Sequence, residues 1–234
     1  MHVSAPAPAA ILLDALGTLV ALEPPAPRLR AELLQRFGLE VSEQQAAAAI
    51  AAEITYYRAH LDDGRDESRL RALRRRCAEV LRQALPAAEL ELDPLVDALL
   101  ASLRFIAYAD VRPALVAARS RGQRLVVVSN WDVSLHAVLR ALELEPLLNG
   151  ILTSAEAGAR KPAAEIFEQA LALAGAGADE AIHVGDTPDE DVAGALGAGI
   201  EPVLVRRNGG PAPAGVRTIT TLAELATVAL PTGP

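Results

Sequence analysis

Residues 10–20 read "AILLDALGTLV". Four apolar residues, Ala10 to Leu13, run into a carboxylate, Asp14, and then into Gly17 and Thr18. A short apolar run that stops at a polar residue is the pattern of a strand buried on both faces. Such strands make parallel sheets covered by helices, and ligands bind beyond the carboxyl ends of those strands. Asp14 stands at such an end. A second acid two residues on would make a phosphate-handling loop, but that position holds Leu16.

The pattern outward from this strand changes twice. Residues from about 22 to 105 are rich in Ala, Leu, Arg and Glu at helical spacing and contain no convincing strand. "PRLRAELLQRFG" predicts a helix with Leu29, Leu33, Leu34 and Phe37 on one face and Gly38 as its stop. Ser42 with Gln45 three residues on predicts a capping box. From Tyr108 onward, strands and helices alternate. "QRLVVVSN", "GILTS", "AIHVGD", "PVLVRR" and "VRTIT" read as strands, with helical stretches between them and a last helix at "LAELATVAL". The fold class is therefore α/β: a mainly parallel sheet with helices on both faces, interrupted after its first strand by a helical block.

Composition narrows the function. A 51% hydrophobic content in 234 residues supports a large core. A net charge of −8 leaves no basic surplus for nucleic acid, and Arg74-Arg75-Arg76 reads as a solvated helix face. Cys77 is the only cysteine, so no intrachain disulfide forms, and its setting reads as helix packing. Residues 1–13 lack a basic leader pattern, and no run of about 18 apolar residues would cross a membrane. The expectation is a cytoplasmic protein. Among 22 basic residues only Lys161 is a lysine, which suggests that a compact ammonium is needed there.

Polar residues concentrate at four strand ends. These are Asp14 with Thr18, Ser129-Asn130, Lys161-Pro162, and the stretch "GDTPDED" with Asp186 and Asp191. If the strands are neighbours, these groups converge. A carboxylate can act as a nucleophile, a hydroxyl and an ammonium can hold phosphoryl oxygens, and clustered acids call for Mg²⁺. The inventory suits phosphoryl transfer through a covalent aspartyl intermediate.

The motifs "DALGT", "VVVSN", "ARKP" and "GDTPDED", in that order, resemble those of the haloacid dehalogenase superfamily of hydrolases. The helical block falls where one subfamily inserts a cap. The resemblance implies a Rossmann-like core over 1–21 and 107–234 and a mobile helical cap over 22–106. It implies Asp14 as nucleophile, with Thr18 supporting its loop. Ser129 and Asn130 would bind the transferred group, and Lys161 would stabilise both Asp14 and the phosphoryl oxygens. Mg²⁺ would be held by Asp14, Asp186, Asp191 and the backbone carbonyl of Leu16. The implied partner is a phosphorylated small molecule.

Leu16 departs from the phosphatase pattern, in which an acid at that position protonates the leaving alkoxide and then activates water. Alkyl phosphates should suffer most, and aryl or acyl phosphates less. The superfamily's metal-independent 2-haloacid dehalogenases also lack that acid, because halide leaves without a proton. They usually lack the Gly-Asp metal acid as well, and this chain keeps Asp186 and Asp191. A phosphonate hydrolase would need a cap lysine, and 22–106 contains none. A phosphate-binding protein without turnover is a third reading. Trp131 either faces the substrate or anchors its helix. His183, inside a strand, reads as a core residue, and His2, His60 and His136 show no triad spacing.

Overall fold

A computed structural model describes residues 6–86 and 89–230, so His2 and the start of the N-terminal segment lie outside the described residues. The chain divides into two compact units. Leu22–Ile106 forms one, and the described residues on either side of it form the other.

The strands in chain order are β1 Ala10–Leu13, β2 Val20–Leu22, β3 Phe105–Ala107, β4 Arg124–Ser129, β5 Gly150–Thr153, β6 Ala181–Gly185, β7 Glu201–Val205 and β8 Arg217–Ile219. Six of them form one sheet in the order β5-β4-β1-β6-β7-β8, and every neighbouring pair is parallel. Leu13 of β1 lies opposite Val127 of β4 on one side and Val184 of β6 on the other. The chain builds outward from β1 to β4 and β5, then returns to build β6, β7 and β8 on the opposite side. That reversal opens a crevice at the carboxyl ends of β1, β4 and β6.

The sheet is buried on both faces, as the unbroken apolar runs require. Ala10, Leu12, Val126 and Val128 pack with Ile166, Phe167 and Ala170 of helix Ala164–Ala174. Alternation along the strands sends Ile11, Leu13, Leu125 and Val127 to the other face, where they are also fully buried. All these strand side chains are at most 1% exposed, so the strand ends cannot slide without opening the core.

Among its described residues the second unit holds four α-helices, α1 Pro25–Phe37, α2 Glu43–His60, α3 Glu67–Ala84 and α4 Leu92–Ser102. Leu29, Leu33, Leu73, Leu81, Leu95 and Leu99 form much of its core, with Cys77 buried among them. Gly38 ends α1 in the left-handed conformation (φ 64°). Ser42 Oγ accepts from the Gln45 N–H, and Gln45 Oε1 accepts from the Ser42 N–H.

Three local expectations fail. Leu34 is exposed: at 100° per residue it lies a full step around from Leu33, beyond the narrow stripe that Leu29 and Leu33 bury. The last helix is a 3₁₀ segment over Leu222–Thr227, where Thr227 and Val228 add two β-branched residues that disfavour an α-helix. β2 and β3 flank the helical stretch as a two-stranded sheet, and three residues each are too few to leave a period in the sequence.

Candidate active site

Asp14 continues β1 by one residue, its N–H donating to the Val184 carbonyl at 2.9 Å. That bond fixes the carboxylate at the sheet edge. Ser129, the last residue of β4, donates from Oγ to Asp14 Oδ1 at 3.0 Å. Lys161 Nζ donates to the same Oδ1 at 2.6 Å and to Asp191 Oδ1 at 2.6 Å. Asp14, Asp186 and Asp191 each offer an oxygen, and these oxygens lie within 4.8 Å of one another. The fold therefore brings together Asp14, Ser129, Lys161, Asp186 and Asp191. Both donors to Asp14 use Oδ1, so Oδ2 receives no hydrogen bond from the described residues.

Two glycines make this packing possible. Gly17 has φ +85°, and a Cβ there would lie 2.1 Å from Asp186 Oδ2. A Cβ on Gly185 would lie 2.1 Å from Asp191 Cγ. Each carboxylate occupies the space a side chain would take, so the glycines set how closely the acids approach. Asp191 belongs to a single π-helical turn, Pro188–Val192, and the Thr187 N–H donates to its Oδ2 at 2.9 Å.

The remaining named residues divide. The Leu16 side chain is 37% exposed, and its carbonyl accepts no hydrogen bond from the described residues. Thr18 is fully buried, yet its hydroxyl has no partner among the described residues. Its tie to the loop runs instead through its carbonyl, which accepts from Arg207 Nη2 at 2.6 Å. Asn130 is tied to the segment that carries Lys161. Its Oδ1 accepts from the Lys161 N–H at 2.8 Å, and its Nδ2 donates to the Lys161 carbonyl and to Glu190, each at 3.0 Å. An amide engaged on these three partners braces Lys161. Trp131 is buried, and its carbonyl accepts from the Ala155 N–H, which suits an anchor.

Burial and charge compete at every ionisable group here. Burial pushes the Asp14 carboxyl up to about 6, against the pull of the Lys161 ammonium. Burial and the charge of Asp191 push Asp186 up as well. On Asp191, burial is outweighed by the Lys161 charge and the His183 hydrogen bond, which hold it well below the usual carboxylate range. Burial also opposes the Lys161 charge, but Asp14 and Asp191 outweigh it and hold the ammonium charged. Opposite shifts on neighbouring acids separate their roles: Asp191 is the fixed anion, and Asp14 and Asp186 are the strained ones.

Three residues near the site carried no readable mark. His183 Nε2 lies 2.8 Å from Asp191 Oδ1. Its place inside a strand pointed to the core, and it is buried, but only the fold shows what it faces. Arg206 Nη1 donates to the Asp186 carbonyl at 2.8 Å, and Arg207 holds the Thr18 carbonyl. Two adjacent arginines at the end of β7 thus tie down both acid-bearing loops. In a chain with so many arginines, nothing in the sequence singles these out.

Residues 8–199 match the family described as haloacid dehalogenase-like hydrolase, and the chain belongs to that family. Haloacid dehalogenase-like hydrolase domain-containing protein 3 from Bos taurus is 39% identical over 95 residues, which is 41% of this chain and 37% of that protein. Glyceraldehyde 3-phosphate phosphatase from Methanopyrus kandleri is 36% identical over 101 residues, 43% of each chain. The chain thus spans less than half the length of the curated relatives it matches. Among solved structures, an HAD phosphatase from Thermococcus onnurineus (24% identical, covering 93% of this chain and 96% of that one) and a 2-haloacid dehalogenase from Pseudomonas syringae (22%, 93% and 96%) both superpose with a TM-score of 0.66. The fold is shared equally with both chemistries, so the choice between them falls to the site.

Proposed function

We propose that this chain is a Mg²⁺-dependent phosphatase that works through an aspartyl-phosphate on Asp14 and favours activated phosphate esters. The observation that carries the reading is a charge deficit: three convergent carboxylates face one ammonium. A metal-free site would have no reason to keep Asp186 pressed against Gly17 with its charge opposed by burial. Asp14, Asp186 and the unengaged carbonyl of Leu16 form a hard-oxygen set that suits Mg²⁺, with Asp191 acting directly or through water. When bound, the ion would supply the positive charge that the acids and the phosphoryl oxygens lack. The backbone ligand needs no particular side chain, so leucine at 16 leaves it intact.

The protein groups divide the remaining work. Asp14 Oδ2 attacks phosphorus, while Ser129 and Lys161 hold Oδ1 and keep the free oxygen aimed. Lys161 has three N–H donors and spends two on the acids, leaving the third for a phosphoryl oxygen. The bond from phosphorus to the leaving oxygen breaks, and that oxygen departs with the electron pair. Leu16 offers no proton, so departure depends on the stability of the anion. Water then attacks phosphorus, the bond from phosphorus to Asp14 breaks to restore the carboxylate, and phosphate leaves with the oxygen of that water and its protons shared between phosphate and solvent. The helical unit is read as the cap that selects a phosphorylated small molecule.

Acid-quenched protein, incubated with an aryl phosphate and Mg²⁺, should yield a phosphorylated peptide containing Asp14. The Asp14→Asn protein should yield none. Phosphorylation elsewhere, or in the Asn variant equally, contradicts the assignment. Leu16 also favours a second reading, metal-independent 2-haloacid dehalogenation, because halide leaves without a proton. Halide release from 2-chloropropionate in the presence of chelator would select that reading. Ligand binding with neither activity, across a broad substrate panel, would select a binding protein.

A further inference from the structure

His183 does not belong to any of the four motifs, yet it is built into the site more rigidly than most of their members. Its backbone sits in β6, paired with Leu12 of β1 on one side and Pro202 of β7 on the other. Its ring meets Phe167 edge-on, with centroids 5.0 Å apart and planes at 87°. The side chain is fully buried. A central strand and a fixed aromatic neighbour thus determine where Nε2 points, and it points at Asp191 Oδ1, 2.8 Å away.

An ionised carboxylate only accepts, so the hydrogen of this bond sits on Nε2. The other ring nitrogen, Nδ1, is buried without a partner among the described residues. The ring spends its one satisfied bond on Asp191. That oxygen also takes the Lys161 ammonium, and Lys161 in turn reaches Asp14. The Thr187 N–H occupies Asp191 Oδ2. Without His183, Asp191 would keep one donor on each oxygen and could rotate about its side-chain bond, carrying Lys161 with it.

We propose that His183 is a positioning residue that fixes Asp191 and, through it, holds the Lys161 ammonium beside Asp14; its kinetic consequence rests on the phosphatase reading above. Asp191 is thereby the anchor of Lys161 first. Loss of such an outer partner typically costs about 10–100-fold in activity or affinity. Because Lys161 also holds Asp14 in position to attack, the loss should fall on kcat more than on KM.

The chain's single lysine gives a direct readout. Protein grown with ¹³C,¹⁵N-lysine shows one lysine Nζ signal, that of Lys161, without assignment. His183→Leu should shift or broaden that signal. His183→Gln, whose amide nitrogen reaches about as far as Nε2, should return it towards wild type. His183→Asn, whose amide is one bond shorter, should not. If the leucine variant fails to fold, the glutamine and asparagine pair carries the same test. A lysine signal unchanged in the folded leucine variant, or glutamine and asparagine variants that behave alike, overturns the proposal. In aryl phosphate hydrolysis, His183→Leu should lose about 10–100-fold in kcat with KM changed far less. If the lysine signal responds as expected while wild type itself hydrolyses nothing, His183 keeps its place and the phosphatase reading fails.

Discussion

Leu16 and Gly17 sit side by side in the loop after β1 and separate two requirements of the site. Leu16 gives up proton transfer while leaving its carbonyl free. General acid–base catalysis is typically worth about 10²–10⁴-fold. Leu16→Asp should therefore raise kcat on an alkyl phosphate by up to that range, and raise aryl phosphate turnover only through the shared second step, in which the new acid activates water. A variant that folds, binds Mg²⁺ and remains as slow on alkyl esters contradicts this account of Leu16. Gly17 makes room for Asp186. Gly17→Ala forces φ +85° on a residue with a Cβ and sets that Cβ 2.1 Å from Asp186 Oδ2. The backbone conformation alone costs about 1–3 kcal/mol. Calorimetric titration should show Mg²⁺ affinity reduced by about tenfold or more, a loss of about 1.4 kcal/mol. Unchanged affinity would mean that Asp186 does not hold the ion.

Elements differ in how much of their role a sequence exposes. The sheet was legible because continuous apolar runs such as "AILL" and "LVVV" can be buried only between two helical layers. The α1 stop at Gly38 and the Ser42 capping box were legible because each is set by local backbone chemistry. The π-helical turn at Pro188–Val192 was not, since nothing local distinguishes it from an ordinary helix start; it is fixed by Asp191 reaching across Gly185. Asp14, Ser129, Lys161 and the two later acids could be picked out by residue type at strand ends. His183, Asn130 and the paired arginines act through contacts between distant segments, and such contacts leave no spacing to read.

Asp110 shows how such contacts tie elements together. Its carboxylate takes Arg207 Nη1, Thr221 Oγ1 and the Leu222 N–H at 2.7–3.1 Å, while Arg207 lies over the Tyr108 ring. Burial would raise its pKa, but these hydrogen bonds outweigh burial and hold it below the ordinary value of 3.8. A lowered folded pKa contributes stability that is complete above the unfolded value and lost as pH falls through the folded one. Chemical unfolding should therefore show Asp110→Asn destabilised at neutral pH by about 1–3 kcal/mol. The difference from wild type should shrink below pH 3.8. A difference that stays constant with pH would remove the carboxylate's charge from the account.

For the whole molecule, the proposed Mg²⁺ site would make stability depend on the ion. Anything that binds only the folded state stabilises it by mass action, by about 2.7 kcal/mol at a hundredfold excess over Kd. Mg²⁺ should raise the melting temperature in a concentration-dependent way, and Asp186→Asn should abolish most of the rise. Equal responses in both proteins would place the ion elsewhere. No helix among the described residues is long and apolar enough to cross a membrane.

On the phosphatase reading, Asp14 is a nucleophile towards phosphorus in a site that needs a divalent ion. Steady-state hydrolysis of an aryl phosphate, with Mg²⁺ and then with excess chelator, tests it most directly. Turnover should require Mg²⁺, return when Mg²⁺ is restored, and be absent in Asp14→Asn. Turnover indifferent to chelator, or no turnover by folded protein with Mg²⁺ bound, would contradict it.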